Sequence, residues 1–218
     1  SMKILIAFTF VISLQTCISS TPSRDNRESI WEPQAQVQDE FKKAYFASGC
    51  FWCVEAVYES VRGVSEAYSG YAGGFTKNPN YNQIGSGRTG HAEAVEVIYD
   101  PKLVSYSTLV QVFFGSHDPT TPNRQGPDYG SQYRSIAFYT SNQEREIIQS
   151  YIALLEEKNI FTNEIVTEIK PLDKFYYAEK YHQDYEKNNP DNPYVKQVSI
   201  PRLRKFQRSY PELLKEDH

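Results

Sequence analysis

The alternation of short strand-like and helix-like segments between residues 43 and 187 is the feature that most restricts the fold of this 218-residue chain. Runs in which β-branched or aromatic residues alternate with polar ones indicate strands, and apolar residues spaced three or four apart indicate amphipathic helices. These patterns predict strands over 43–48, 65–71, 94–99, 134–140 and 165–170, and helices over 51–61, 105–116, 142–158 and 178–187. Three prolines between residues 188 and 201 predict a long irregular C-terminal tail. The pattern as a whole predicts an α/β (α+β) fold, a single two-layer α/β plait with long irregular loops.

The first 20 residues have the character of a signal peptide. Lys3 is followed by an apolar run at 4–14 that is too short to span a bilayer. The segment 14–17 is similar to a lipoprotein box, in which Cys17 would carry a lipid anchor. Ordinary cleavage nearby and a buried first strand are the alternatives. The sequence therefore predicts export, to the periplasm or as a membrane-anchored lipoprotein, with a cytoplasmic location as the alternative.

Residues 21–40 are polar and weakly periodic, which is typical of a linker, so the folded catalytic domain is predicted to cover 41–218.

The composition of the whole chain excludes several classes of protein. The chain has 23 basic and 27 acidic residues, a net charge of −4, whereas a nucleic-acid-binding domain needs a basic surface. Three cysteines are too few for a disulfide-stapled scaffold.

Two of these cysteines form a C-x-x-C pair, Cys50 and Cys53, where a predicted strand ends and a helix begins. A thiol at a helix N-terminus lies at the positive end of the helix dipole, which is expected to lower the pKa of Cys50 toward neutrality and favour the nucleophilic thiolate. Cys53 lies one helical turn further on, close enough to condense with an oxidised Cys50. The alternative is a pair of buried thiols that pack as small apolar side chains.

Four further polar residues are candidates for proton transfer and hydrogen bonding. Glu93 lies between a glycine-rich loop and an apolar strand, where partial burial would keep its carboxyl protonated near neutral pH. Tyr81 and Tyr133 lie in predicted loops and could donate hydroxyl hydrogen bonds, and Asp128 could orient them. The alternatives are a solvated edge-strand carboxylate, tyrosines packed under loops and a turn-capping aspartate. His182 is predicted to be a hydrogen-bonded packing residue.

Two other motifs suggest cofactors that the sequence context does not support. Residues 85–90 satisfy G-x-G-x-x-G, but a dinucleotide site needs a strand before the motif and a helix after it. His91 and Glu93 form an H-x-E like that of zinc deaminases, in which the cysteine pair follows the motif; here Cys50 and Cys53 precede it. A zinc site at His91 and the two cysteines stays as an alternative, and neither a metal nor a bound cofactor is expected.

The order of motifs resembles the peptide methionine sulfoxide reductase A (MsrA) family, in the subtype with the sequence GCFWC. The resemblance covers residues 43–201 and rests on eight motifs in order: GCFWCVE at 49–55, GYAGG at 70–74, NPNY at 78–81, GRTGHAE at 87–93, HDPTT at 117–121, NRQG at 123–126, Asp128 with QYRS at 132–135, and AEKYHQ at 178–183. It implies a plait with a ferredoxin-like core and an enzyme that reduces methionine-S-sulfoxide, free or in peptides and proteins, as part of the repair of oxidised proteins.

The resemblance also implies roles for the residues that match. Cys50 would attack the sulfoxide sulfur, while Phe51 and Trp52 would hold the methyl group in an aromatic pocket. Glu93 would donate a proton to the sulfoxide oxygen so that it leaves as water.

Tyr81 and Tyr133 would hydrogen-bond that oxygen, and Asp128 would support this polar shell. Because one pocket places methyl and oxygen separately, a single epimer is expected to react.

Recycling is the step in which this sequence differs from many members of the family. Those members resolve the cysteine sulfenic acid with cysteines in a C-terminal tail, and no cysteine follows Cys53 here. Cys17 lies in the predicted signal peptide, so Cys53 is the expected resolving residue, and a thioredoxin-like protein would reduce the Cys50–Cys53 disulfide. Direct attack of an external thiol on the sulfenic acid is the alternative.

The expected partners are oxidised proteins and peptides and a thioredoxin-like reductant, with no nucleic acid, and with a membrane only through Cys17. Three other functions stay open: a general thiol–disulfide oxidoreductase, a zinc-binding module and a non-catalytic binding lipoprotein.

Overall fold

A computed structural model describes residues 31–33 and 40–216. The described part contains eight strands: β1 (Lys42–Ser48), β2 (Val64–Ala72), β3 (Ala92–Tyr99), β4 (Arg124–Gln125), β5 (Asp128–Tyr129), β6 (Ser135–Tyr139), β7 (Glu168–Pro171) and β8 (Phe175–Tyr177). It contains six α-helices: α1 (Phe51–Glu59), α2 (Tyr81–Gly85), α3 (Tyr106–Gly115), α4 (Asn142–Glu157), α5 (Tyr185–Asn188) and α6 (Ile200–Ser209).

Six strands form one sheet in the order β7-β6-β1-β3-β2-β8, and β4 pairs with β5 in a separate short ribbon. Neighbouring strands of the sheet are antiparallel except β6 and β7, which are parallel. Within the sheet, β1-α1-β2-β3-α3-β6 has the central order β6-β1-β3-β2. This is the split βαβ arrangement, so the two-layer plait with a ferredoxin-like core is confirmed.

The main core lies between the sheet and the helices α1 and α3. It contains Phe46 from β1, Val54 and Tyr58 from α1, and Leu109 and Phe113 from α3. Phe46 stacks on Tyr58 and Phe113, with ring centroids 5.2 and 5.3 Å apart. The opposite face of the sheet carries a smaller apolar cluster around Tyr45, Ala94 and Phe138. Both faces of the central strands are therefore buried, which explains why β3 has no exposed residue.

Alternation along β3 places Glu93 on the helical side of the sheet. Val95 and Val97 belong to the core that faces the helices, whereas Ala92 and Ala94 belong to the opposite cluster. Because successive side chains of a strand point to opposite faces, Glu93 lies on the same side as Val95. It is also the residue paired with Tyr71 of β2.

The turn between β1 and α1 requires a glycine. Gly49 has φ +91°, in the left-handed region, and a Cβ there would lie 2.6 Å from the Cβ of Gln125. The chain then enters α1 at Phe51, with Cys50 as the N-cap residue. Cys50 has no side-chain capping bond, so its thiol is directed to other neighbours. The turn thus fixes a thiol at the end of the central strand.

Two predictions for the C-terminal third are wrong. The single helix expected over 178–187 is a 3₁₀ turn at Lys180–His182 followed by the short α5. It is interrupted at Asp184, whose φ of +52° cannot occur inside a right-handed helix. The irregular tail expected over 188–201 contains a π-helical turn at Val195–Ser199 that continues into α6. Pro201 is the second residue of α6 and directly follows the π-helical turn, so the winding of the helix changes at the point where the proline lacks an N–H.

The predicted signal peptide and Cys17 lie outside the described residues. No helix within 31–33 and 40–216 has the length and apolar character needed to cross a membrane. Trp31, from the predicted linker, packs edge-on against Tyr68 and Tyr177, with centroids 5.7 and 5.9 Å away. This part of the linker therefore contacts the domain.

Candidate active site

The two cysteines lie at the N-terminus of α1, beneath the surface. Cys53 is in the first turn, and its backbone N–H donates to the Cys50 carbonyl at 3.1 Å. The exposed fractions are 6% for Cys50 and 1% for Cys53, and both are free thiols. Two buried, reduced thiols therefore lie within one helical turn of each other, as the C-x-x-C spacing predicts.

The protonation of this pair differs from the sequence-based expectation. Burial raises the pKa of Cys50 well above its usual range, and the hydrogen bond that its thiol donates to Cys53 raises it further. That hydrogen bond lowers the pKa of Cys53 to about 7, against burial and with help from Arg202, Ser199 and Tyr194. The pair therefore favours the thiolate on Cys53 over the thiolate on Cys50. The expected lowering of the Cys50 pKa is wrong because desolvation outweighs the helix terminus.

Glu93 is fully buried beside the nucleophile. Its Oε2 accepts a hydrogen bond from the backbone N–H of Phe51 at 3.0 Å, which ties the carboxyl to the N-terminus of α1. Burial raises the pKa of Glu93 to about 8, and the charges of Asp128 and Cys53 act in the same direction. The carboxyl is therefore protonated at neutral pH, as the sequence predicts for a general acid.

The two predicted tyrosines face the same carboxyl. Tyr81 begins α2, and its backbone N–H donates to Oε1 of Glu179 at 2.9 Å. Tyr133 lies in a 3₁₀ turn just before β6. Burial, followed by the charge of Glu93, raises the pKa of Tyr81 to about 12 and raises that of Tyr133 as well. Both hydroxyls therefore keep their protons at neutral pH and can donate hydrogen bonds near Cys50.

An aromatic cluster forms the other wall of the site. Trp52 stacks on Tyr185 with centroids 3.7 Å apart and interplanar angle 9°. Its indole Nε1 donates to Nδ1 of His182 at 3.1 Å, and the His182 ring lies 5.0 Å from Phe51. Phe51 in turn stacks on Tyr81 at 6.3 Å. His182 is thus a hydrogen-bonded packing residue, as predicted, and it fixes the orientation of Trp52.

Asp128 contacts the site through a tyrosine that the sequence analysis did not identify. The Tyr194 hydroxyl donates to Oδ2 of Asp128 at 2.6 Å and lies 3.9 Å from Sγ of Cys53. Burial, the charges of both cysteines and the bond to Asp128 raise the pKa of Tyr194. Tyr194 therefore links the β4–β5 ribbon to the resolving side of the dithiol.

The residues proposed for a zinc site are not brought together. Nδ1 of His91 accepts from the backbone N–H of Gly74 at 3.1 Å, so its Nε2–H donates to the Thr76 carbonyl at 2.8 Å. Both ring nitrogens therefore serve the adjacent loop rather than Cys50 and Cys53. Only three of the residues described have ligand atoms within 4.8 Å of one another, and the group contains neither cysteine nor histidine: Glu55, Glu59 and Asp184.

The G-x-G-x-x-G segment lies between α2 and β3, so it lacks the preceding strand and following helix of a dinucleotide site.

Sequence reasoning missed five residues that surround the site: Glu179, Tyr185, Tyr194, Ser199 and Arg202. A local signal existed for Tyr194, because it follows Asn192-Pro193 much as Tyr81 follows Asn78-Pro79-Asn80. Glu179 lies within the AEKYHQ motif at 178–183, and the other three carry no such signal. They reach the site because the C-terminal segment crosses back over α1.

The whole domain and its site are similar to proteins of one kind. A sequence model of the family described as "Peptide methionine sulfoxide reductase" matches residues 42–214. Peptide methionine sulfoxide reductase MsrA 2 of Synechocystis is 48% identical over 175 residues, which cover 80% of this chain and 82% of that protein. The MsrA of Trichodesmium erythraeum is 50% identical over 75% of this chain and 93% of its own.

Two solved structures share the fold. Methionine sulfoxide reductase A of Corynebacterium diphtheriae is 37% identical with a TM-score of 0.64, over 71% of this chain and 78% of that chain. Reduced Mxr1 from Saccharomyces cerevisiae is 33% identical with a TM-score of 0.67, over 75% and 94%.

Proposed function

The chain belongs to the peptide methionine sulfoxide reductase family, and from this premise we propose that Cys50 is the nucleophile that reduces methionine-S-sulfoxide. The observation that carries the assignment is the hydrogen bond from Phe51 N–H to the buried, protonated Glu93. It supports roles for Cys50 as the nucleophile and Glu93 as the general acid at one helix terminus. Reduction of a sulfoxide needs both, because the oxygen is a poor leaving group until it is protonated.

The acid acts on the oxygen side of the substrate. With a pKa of about 8, Glu93 can donate a proton to the sulfoxide oxygen at neutral pH. Tyr81 and Tyr133 keep their protons at neutral pH, which supports the role of hydrogen-bond donors to the same oxygen. Charge that develops on the oxygen therefore meets three neutral donors in a site from which bulk water is excluded.

The aromatic cluster acts on the carbon side of the substrate. Phe51 and Trp52 present ring faces next to Cys50, and the bond from Trp52 to His182 fixes the indole. A methyl group and a polarisable sulfur pack favourably against aromatic rings. Because the methyl group and the oxygen must go to different walls, one configuration at sulfur fits; we assign the S epimer, as the family resemblance implies.

The nucleophile must lose its proton before it attacks. The Cys53 sulfur lies one helical turn away and has the lower pKa of the two thiols, so we assign it as the acceptor of that proton. The net first step converts the sulfoxide and the Cys50 thiol into methionine and a Cys50 sulfenic acid. One oxygen atom and two oxidising equivalents pass from substrate to enzyme.

Cys53 then resolves the sulfenic acid. Its sulfur attacks the Cys50 sulfur, an S–S bond forms, the S–O bond breaks, and the hydroxyl leaves as water with the thiol proton. A dithiol of the thioredoxin type reduces the disulfide and is itself oxidised. Neither step needs a bound cofactor. Export of the enzyme, with or without a lipid on Cys17, stays a prediction because residues 1–30 lie outside the described part of the chain.

The test is thioredoxin-dependent reduction of peptides that contain one epimer of methionine sulfoxide. We expect turnover of the S epimer and none of the R epimer, and no reduction of insulin disulfides in the absence of sulfoxide. Equal rates on both epimers, or reduction of insulin alone, would overturn the assignment.

A further inference from the structure

A cavity of about 890 Å³ opens onto Cys53 from the side of α6. Its wall includes Cys53, Asp128, Tyr194, Arg202 and Lys205. Cys50 and Glu93 are not among the described residues that line it. The second cysteine therefore has surroundings of its own, separate from the walls that hold the sulfoxide.

Hydrogen bonds hold the Arg202 guanidinium in place in the wall of this cavity. Its Nε donates to the Ser116 carbonyl at 2.8 Å, and its Nη2 donates to Oγ of Ser48 at 3.2 Å. Nη1 lies 3.5 Å from the position that a Cβ on Gly49 would occupy. The guanidinium is thus placed by the C-terminus of α3, the end of β1 and the glycine turn that precedes the two thiols.

This guanidinium has no acidic partner within ion-pair distance among the residues that the structure describes. A partly buried cation is usually paired with an anion, because removing it from water is otherwise costly. Cys53 lines the same cavity, and the charge of Arg202 lowers the pKa of its thiol.

We propose that Arg202 is a positioning residue that holds Cys53 as a thiolate, ready to attack the Cys50 sulfenic acid. The inference rests on the proposed role of Cys53 as the resolving cysteine. After Cys53 has accepted the Cys50 proton, the fixed cation favours release of that proton to water in the cavity. The thiolate attacks the Cys50 sulfur, and the departing hydroxide takes up a proton to leave as water.

The other charged and titratable groups that face Cys53 do not replace Arg202. Glu93 is protonated at neutral pH, and burial lowers the pKa of His117 to about 3, so both are neutral. The Asp128 carboxyl accepts a hydrogen bond from the Tyr194 hydroxyl, and burial raises its pKa against the effects of that bond and of Arg202. The full set comprises Cys50 before α1, Glu93 on β3, His117 and Asp118 after α3, Asp128 on β5, Tyr194 before the π-helical turn, and Arg202 and Lys205 on α6.

A thiolate at this position has a chemical purpose. A sulfenic acid that is not resolved can be oxidised further to sulfinic acid, which thiols do not reverse. The rate of resolution rises with the fraction of attacking thiolate. By speeding disulfide formation, Arg202 would therefore protect Cys50 from further oxidation to sulfinic acid.

The test measures the pKa of Cys53 directly in the Cys50→Ser background, where it is the only thiol of the described domain. The rate of iodoacetamide alkylation is followed against pH. We expect a midpoint below the ordinary thiol value of about 8.5, and an upward shift of about one unit in Arg202→Gln. Arg202→Lys should restore part of the shift. Lys205→Gln, on the same wall and with the same change in charge, should leave the midpoint unchanged.

An unchanged midpoint in folded Arg202→Gln overturns the proposal. If that variant does not fold, the Cys50→Ser protein alone decides, because a midpoint at or above about 8.5 excludes a stabilised thiolate. In the full enzyme, Arg202→Gln should slow disulfide formation about tenfold near pH 7 and recover as pH rises. A separate measurement tests whether Cys53 is the resolving cysteine at all: if it is not, Cys53→Ser will still turn over with thioredoxin at the wild-type rate.

Discussion

The two cysteines of the dithiol are three residues apart, yet they lie in opposite electrostatic surroundings. Cys50 faces Glu93, Tyr81 and Tyr133, which burial keeps neutral and able to donate protons. Cys53 faces the Arg202 cation and an open cavity. Burial raises the pKa of an acid when no cation is near, and a cation offsets that effect when one is. One helical turn thus separates a site suited to protonating an oxide from a site suited to holding a thiolate.

The largest expected effect is the loss of the nucleophile. Cys50→Ser should abolish formation of methionine from the sulfoxide, because a serine hydroxyl is far less nucleophilic than a thiolate at neutral pH. The measurement is methionine released in a single-turnover reaction with excess enzyme. Measurable methionine from a correctly folded variant would mean that Cys53 can attack the substrate. The two cysteines would then not have distinct roles.

Removal of the resolving cysteine should separate the first turnover from the later ones. Cys53→Ser should release about one methionine per enzyme, more slowly than wild type because serine cannot accept the Cys50 proton, and should then stop in the presence of thioredoxin. A quenched-flow experiment measures the burst and the steady state together. Thioredoxin-supported cycling at the wild-type rate would contradict the assignment.

Loss of the general acid should lower the rate without abolishing it. Glu93→Gln keeps the shape and the hydrogen-bond capacity but cannot transfer a proton, so kcat should fall by about 10²–10⁴-fold. In wild type the acid form of Glu93 is active, so the rate should fall as pH rises through the Glu93 pKa of about 8.

That high-pH limb should be missing in Glu93→Gln. The matched control is Glu96→Gln, a buried carboxylate on the opposite face of β3 that bonds Tyr45 and Tyr177. It should retain both the rate and the pH profile in the folded fraction of the protein.

The smallest expected effect is the loss of a hydroxyl on the Cys53 side. Tyr194→Phe removes the bond to Asp128, worth about 1 kcal/mol, and should lower kcat/KM about fivefold. Tyr185→Phe is the control, because the Tyr185 hydroxyl bonds Asn192 while its ring stacks on Trp52. Equal losses in the two variants would show that the hydroxyl of Tyr194 has no special role beside the dithiol.

The two halves of the fold differ in how far the sequence predicts them. The strands and helices from 43 to 158 follow their hydrophobic periods, and the structure places them within a few residues of the predicted bounds. The C-terminal third does not, because its path depends on the left-handed Asp184 and on a π-helical turn that carries the helix past Pro201. Such choices depend on tertiary contacts with α1 that no local pattern records.

The same division applies to the site. The plait and its loops contribute the residues that turn signals and strand alternation indicate in the sequence: Cys50, Cys53, Glu93, Tyr81 and Tyr133. Arg202 and Ser199 lie on the C-terminal segment and reach Cys53 only after it has folded back over α1. The direction in which the Cys50 pKa shifts cannot be predicted locally either. The sequence indicates the position of Cys50 at a helix terminus but not how deeply its thiol is buried.

The most direct test of the central claim is the mass of the wild-type enzyme after one equivalent of methionine-S-sulfoxide, in the absence of any reductant. We expect the loss of two hydrogens, mapped by peptide analysis to a disulfide between Cys50 and Cys53. A protein that instead keeps one added oxygen on Cys50, with Cys53 still free to react with alkylating agents, would contradict the division of roles between the two cysteines.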